Sequence, residues 1–100
     1  MILEVAILDV KAGQSESFVR AFTQAQGIIS GMPGYVSHEL KKCLEKPDRY
    51  LLLVNWEKLE DHTVGFRGSD EYQEWRRLLH DFYDPFPDVE HYTNVYQAGS

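Results

Sequence analysis

Tyr50-Leu51-Leu52-Leu53-Val54-Asn55-Trp56 is the most apolar run of the chain, and its reading decides the fold. The run has strand length, and side chains alternate across a strand. Tyr50, Leu52, Val54 and Trp56 therefore take one face, and Leu51, Leu53 and Asn55 the other. Apolar residues on either side mark a strand covered on two faces. Lys46-Pro47-Asp48 ahead of it is a turn signal. Before that turn, Tyr35 to about Cys43 alternates as well, with Val36, His38 and Leu40 opposed to Tyr35, Ser37 and Glu39. The two segments are expected to pair as an antiparallel hairpin.

Working outward, Ile2 to Val10 is apolar and β-branched on both parities, interrupted by Glu4 and Asp9, and reads as a first strand. Lys11-Ala12-Gly13 turns the chain, and Ser15 is the expected N-cap of a helix whose apolar face is Phe18, Phe22, Ala25 and Ile29. Gly31-Met32-Pro33-Gly34 should end it, since proline disfavours helix at the residue before it and glycine accepts left-handed angles. Beyond Trp56, Glu60, Asp61 and His62 begin a short helical segment loosened by Gly65 and Gly68. Ser69 then caps a longer helix with Asp70 and Glu71 in its first turn and Tyr72, Trp75, Leu79 and Phe82 on one side. Asp84-Pro85-Phe86-Pro87-Asp88 is a stiff connection, Val89 to Tyr96 a last strand, and Gln97 to Ser100 a frayed tail.

The order is β-α-β-β-α-β, an α+β, ferredoxin-like plan in which a four-stranded antiparallel sheet carries two helices on one face. Two helices cannot cover both faces of four strands. The other face, apolar in its third strand, is larger than soluble monomers tolerate, so a homodimer packed sheet face to sheet face is expected.

A length of 100 residues bounds the chain to one domain, with its core over about residues 2–96. The net charge of −6 and the scattering of its ten Lys and Arg argue against a nucleic-acid partner. No run approaches the roughly 20 apolar residues of a membrane span, and no basic leader precedes one. Cys43 is alone, which fits a reducing compartment, and the cytoplasm is the expected location.

Four local patterns in order, Val10-Lys11-Ala12-Gly13, Met32-Pro33-Gly34-Tyr35, Trp56 followed by Glu57, and Phe66-Arg67-Gly68-Ser69 ahead of an aromatic helix, resemble the antibiotic biosynthesis monooxygenase domains of the dimeric α+β barrel superfamily. The resemblance implies a dimer with one small-molecule pocket per subunit between sheet and helices. The haem-degrading branch of that family needs an asparagine in the first strand, a tryptophan in the loosened helix and a histidine iron ligand in the next helix. This chain has Ala6, Phe66 and Arg76 there, and a guanidinium cannot ligate iron. Haem degradation is therefore disfavoured unless His62 or His80 substitutes. The oxygenase branch oxidises polycyclic phenols without metal or flavin. Its pocket tryptophan and its tyrosine or asparagine donors have counterparts in Trp56, Tyr72 and Asn55.

On that resemblance the expected activity is a cofactor-independent monooxygenase acting on a small aromatic or quinol compound. His62 is the candidate base, because an imidazole titrates near ~6.5. Trp56, Phe66, Trp75 and Phe82 are the planar walls, and Tyr72 or Asn55 bonds a substrate oxygen. The competing class is a non-oxidative binding protein, isomerase or cyclase on the same scaffold. Plainer roles stand beside each choice: Trp56 as a core anchor, His62 as a solvated helix residue, and His38 in the pocket or the dimer interface. His91 reads as a strand-surface residue and Cys43 as a half-buried hydrophobe. His80 and Asp84 lack a third metal ligand.

Overall fold

The computed structural model describes residues 1–99. It has the expected element order: β1 (Ile2–Asp9), α1 (Ser15–Ser30), β2 (Tyr35–Lys42), β3 (Arg49–Trp56), a π-helical turn (Asp61–Phe66), α2 (Asp70–Leu79), a 3-10 turn (His80–Phe82) and β4 (Val89–Tyr92). The strands form one antiparallel sheet in the order β2-β3-β1-β4. β1 and β3 are central, which is why both carry apolar residues on each parity.

The even positions of the central strands make the covered face: Ala6, Leu8, Tyr50, Leu52, Val54 and Trp56 are buried against the helices. α1 contributes Phe18, Phe22, Ala25 and Ile29 to the same core, and α2 contributes Trp75 and Leu79. The odd positions leave an open face where Leu3, Val5, Leu51 and Leu53 are half-buried and Ile7 is 46% exposed. At its end Arg49 grips Asp9 through two bonds of 2.8 and 3.2 Å.

Several boundaries differ from the sequence reading, each for a local reason. Gln14, not Ser15, stands at the N-cap of α1, and the Ser15 hydroxyl instead donates to Asp48 at 2.9 Å, tying the helix start to the β2–β3 turn. β4 stops at Tyr92 instead of reaching Tyr96, because its ladder partner runs out: Tyr92 already pairs with Leu3 near the start of β1. Residues 93–99 carry no regular structure, and Ser100 of the expected tail lies outside the described residues. Ser69 caps α2 as read, accepting from the Tyr72 N–H at 3.1 Å. Phe82 leaves the side shared by Tyr72, Trp75 and Leu79, because the backbone tightens into the 3-10 turn at His80.

Gly34 holds the junction between α1 and β2. Its φ is +83°, and a Cβ there would overlap the Asp61 carboxylate at the start of the π-turn. Its carbonyl accepts from the Glu57 N–H at 2.8 Å, so one small residue lets three segments meet.

Candidate functional site

A cavity of about 450 Å3 lies between the sheet and the α2 side of the helical layer. Its floor is Ala6, Leu8 and Leu52 from the central strands. His62, Phe66 and Arg67 from the π-turn form one wall, Tyr72 and Trp75 from α2 form the roof, and residues 83 and 86–89 close the far side. The rings interlock edge to face, with Phe66 at 5.2 Å from Tyr72 and 5.7 Å from Trp75.

The π-turn decides how His62 sits. Its wide coil is closed by the Arg67 N–H donating to the His62 carbonyl at 3.1 Å, a bond spanning five residues. The imidazole is 3% exposed and stacks on the indole of Trp56 with ring centroids 5.5 Å apart. Both ring nitrogens meet protein groups: Nδ1 lies 2.7 Å from Nε2 of His91, and Nε2 lies 3.4 Å from Oε1 of Glu4. That same Glu4 oxygen accepts from Nε1 of Trp56 at 2.9 Å. Four side chains from three strands and the π-turn therefore make one polar chain running from the core to the β4 edge.

Burial governs the electrostatics. The Glu4 carboxyl is pushed up by desolvation, opposed by the Trp56 hydrogen bond and the Arg67 charge. His62 is pushed down to about 3 by burial, with Arg67 and His91 acting in the same sense. His91 is lowered by burial and by Arg67, and His80, at the other end of the cavity, by burial and by Arg76 against the opposing charge of Asp81. Burial also raises the Tyr83 phenol. At neutral pH the imidazoles here are uncharged.

The structure brings His62, Phe66, Tyr72 and Trp75 together around this space. Trp56 lies behind the wall, fully buried, supporting His62 and bonding Glu4. Asn55 does not reach the cavity. Its parity sends it to the open face, where its amide donates to the Ser37 hydroxyl at 3.1 Å. Phe82 is also elsewhere, packed against Phe18 at 5.7 Å in the α1 half of the core. His38 points to the helix side of β2 and pairs with the Tyr35 hydroxyl, with its ring edge-on to Phe22. Arg76 is exposed, with its guanidinium on Gln73. Among the described residues no group of three or more His, Cys, Asp or Glu could hold a metal ion.

Two members of the polar chain escaped the sequence reading. Glu4 was an interruption of a strand, yet it shares parity with Ala6 and Leu8, which is a signal that it points into the core. His91 is half-buried instead of lying on the strand surface, because it pairs directly with Glu4 across the β1–β4 ladder. Two polar residues paired on a covered face imply a buried polar contact.

The model of the family "Antibiotic biosynthesis monooxygenase" matches residues 1–78. A Bacillus subtilis protein of uncharacterised role, YczJ, is 60% identical over 95 residues, covering 95% of this chain and 100% of that one. A solved Bordetella bronchiseptica structure named after the same family is 34% identical with a TM-score of 0.91, covering 95% of this chain and 97% of that one. SnoaB of Streptomyces nogalater, described as a cofactor-independent oxygenase, shares the fold at a TM-score of 0.84 with 15% identity, covering 99% and 97%.

Proposed function

The chain belongs to the antibiotic biosynthesis monooxygenase family, and on that premise we propose that it is a homodimeric, cofactor-independent monooxygenase oxidising a small aromatic or quinol compound with dioxygen. The observation that carries this reading is a mostly apolar, aromatic-walled cavity with a desolvated acid and imidazole chain at one wall. Such a site holds a planar molecule, keeps water from it and offers a place for one proton.

The chemistry asks little else of the protein. A hydroxyarene that loses its proton is electron-rich enough to pass one electron to dioxygen. The aryloxyl radical and superoxide then combine to a hydroperoxide, and loss of water leaves a quinone carbonyl. The ring supplies all four electrons, so one oxygen atom enters the product and the other leaves as water. His62 is the base in this scheme. Burial leaves it unprotonated above about pH 3 but a weak base, so it takes the hydroxyl proton only as far as a Glu4 carboxylate at 3.4 Å and the ligand anion stabilise the imidazolium formed.

Oxygen uptake with a panel of quinols tests the scheme, with labelled dioxygen placing one labelled atom in the quinone. His62→Ala should slow turnover by about 100-fold, in the range of a lost general base. Equal rates in the two proteins would remove His62 from that role. One observation favours the second reading, a non-oxidative binding protein, isomerase or cyclase: both nitrogens of His62 already face protein partners. Absence of uptake with every quinol, together with tight binding of some, would select it.

The dimer is supported by the open sheet face, whose apolar centre is Leu3, Val5, Ile7, Leu51 and Leu53. Packing it on a second copy removes that surface from water. Leu53→Asp is expected to abolish dimerisation at micromolar concentration, and a compact wild-type monomer in sedimentation would sink the arrangement.

A further inference from the structure

Arg67 is a cavity group with no role in the scheme above. It follows directly on the π-turn, anchored through its N–H to the His62 carbonyl, and the residue, itself exposed to solvent, lines the same space as His62 and Phe66. It enters no ion pair and no side-chain hydrogen bond with any described residue. Five donors in a planar fork are therefore free. The adjoining wall is also rich in donors. The Trp75 indole N–H, which can only donate, has no partner among the described residues, and neither has the Tyr72 hydroxyl. Among the described residues no fully buried side-chain polar atom is unsatisfied, so these groups open onto accessible space. The matching ligand is planar and presents acceptors.

We propose that Arg67 makes the His62 end of the cavity an oxyanion site, so that the aromatic ligand is held as its phenolate with the charged oxygen on the guanidinium. The proposal rests on the reading of the ligand as a hydroxyarene, but not on whether dioxygen then reacts with it. The protein's own groups already register the field: the Arg67 charge opposes protonation of His62 and His91 and favours ionisation of Glu4. A ligand hydroxyl placed beside them meets the same charge and gives up its proton more readily than in water. The acidic groups facing this space are Asp88 on the loop wall and Glu4 beside His62; neither pairs with Arg67, and burial pushes the Glu4 carboxyl up, holds His80 neutral and keeps the Tyr83 phenol protonated.

A nitrophenol reports its own ionisation through its absorbance, so it can be titrated free and bound to the whole chain in wild type, Arg67→Met and Arg67→Lys. The ionised form should bind about tenfold more tightly than the neutral form, an apparent pKa lowered by about one unit on binding. Arg67→Met should abolish that preference and leave binding of the neutral form unchanged, and Arg67→Lys should keep most of it. Equal affinity for the two forms, a preference that survives Arg67→Met, or binding of neither form would overturn the proposal. Oxygen uptake is read separately. A nitrophenolate held on Arg67 while no quinol is oxidised leaves the oxyanion site standing and removes the oxygenase reading, whereas quinol oxidation with no preference for the anion does the reverse.

Discussion

The two halves of the covered sheet face are built from the same kinds of residue and end in opposite states. Under α1, Phe18 is fully buried and meets Tyr50, Phe82 and Tyr83 with ring centroids 5.1 to 5.9 Å apart. Under the π-turn and α2, Phe66 is just as close to Tyr72 and to Trp75, yet these rings help enclose about 450 Å3. Composition therefore does not separate a core from a pocket. The backbone does: one regular 16-residue helix lays its stripe flat on the sheet, whereas a π-turn, a 10-residue helix, a 3-10 turn and a proline-containing loop arch over it.

If that contrast is right, damage to the α1 half should appear as lost stability and damage to the α2 half as lost binding. The largest effect is expected from Phe18→Ala, which empties the packed half. It should cost about 3–5 kcal/mol in urea denaturation, and a loss below about 1 kcal/mol would show that this half is as loose as the other. Gly34→Ala comes next, at about 1–3 kcal/mol, because it combines a positive φ with overlap on Asp61. Since Asp61 opens the π-turn, this variant should also weaken binding of an aromatic probe, which Phe18→Ala in its folded state should not.

A pH series sharpens the contrast further. Burial raises Glu4, so the folded state keeps its proton to higher pH than the unfolded chain does. Stability from this group is complete below pH 4.5 and is lost as pH rises through the folded value. His62 is depressed, so its contribution is complete above pH 6.5 and is lost as pH falls toward about 3. Glu4→Gln removes only the first of these two contributions. Measured by denaturation across this range, the variant should gain on wild type as pH rises above 4.5, by up to about 1.4 kcal/mol per pH unit. A difference that does not vary with pH would mean that Glu4 is not a desolvated acid. The smallest effect is expected from Tyr72→Phe. Its hydroxyl has no partner among the described residues, so stability should stay within about 0.5 kcal/mol while binding of a hydroxyarene weakens.

Element order, the hairpin and the cap at Ser69 were legible in the sequence because alternation and capping are local: Tyr50 to Trp56 needs no distant partner to declare its faces. The boundaries that went astray depend on contacts far along the chain, such as Ser15 with Asp48 or Tyr92 with Leu3. The site divides in the same way. His62, Phe66, Tyr72 and Trp75 cluster in sequence and in space, whereas Glu4 and His91 join them only across a ladder closed by the first and last strands. Asn55 entered the expected site through the family resemblance, although strand parity sends it and Trp56 to opposite faces.

The π-turn also acts as a phase shifter. In an α-helix, residues five apart point about 140° away from each other, so a helix presenting His62 to the cavity would turn Arg67 toward solvent. The wider coil, with its bond between residues five apart, brings the two nearly above one another, and a neutral ring and a fixed positive charge come to face the same space. Winding the same residues at the ordinary α-helical pitch would part them, with every side chain of the site still present in the chain.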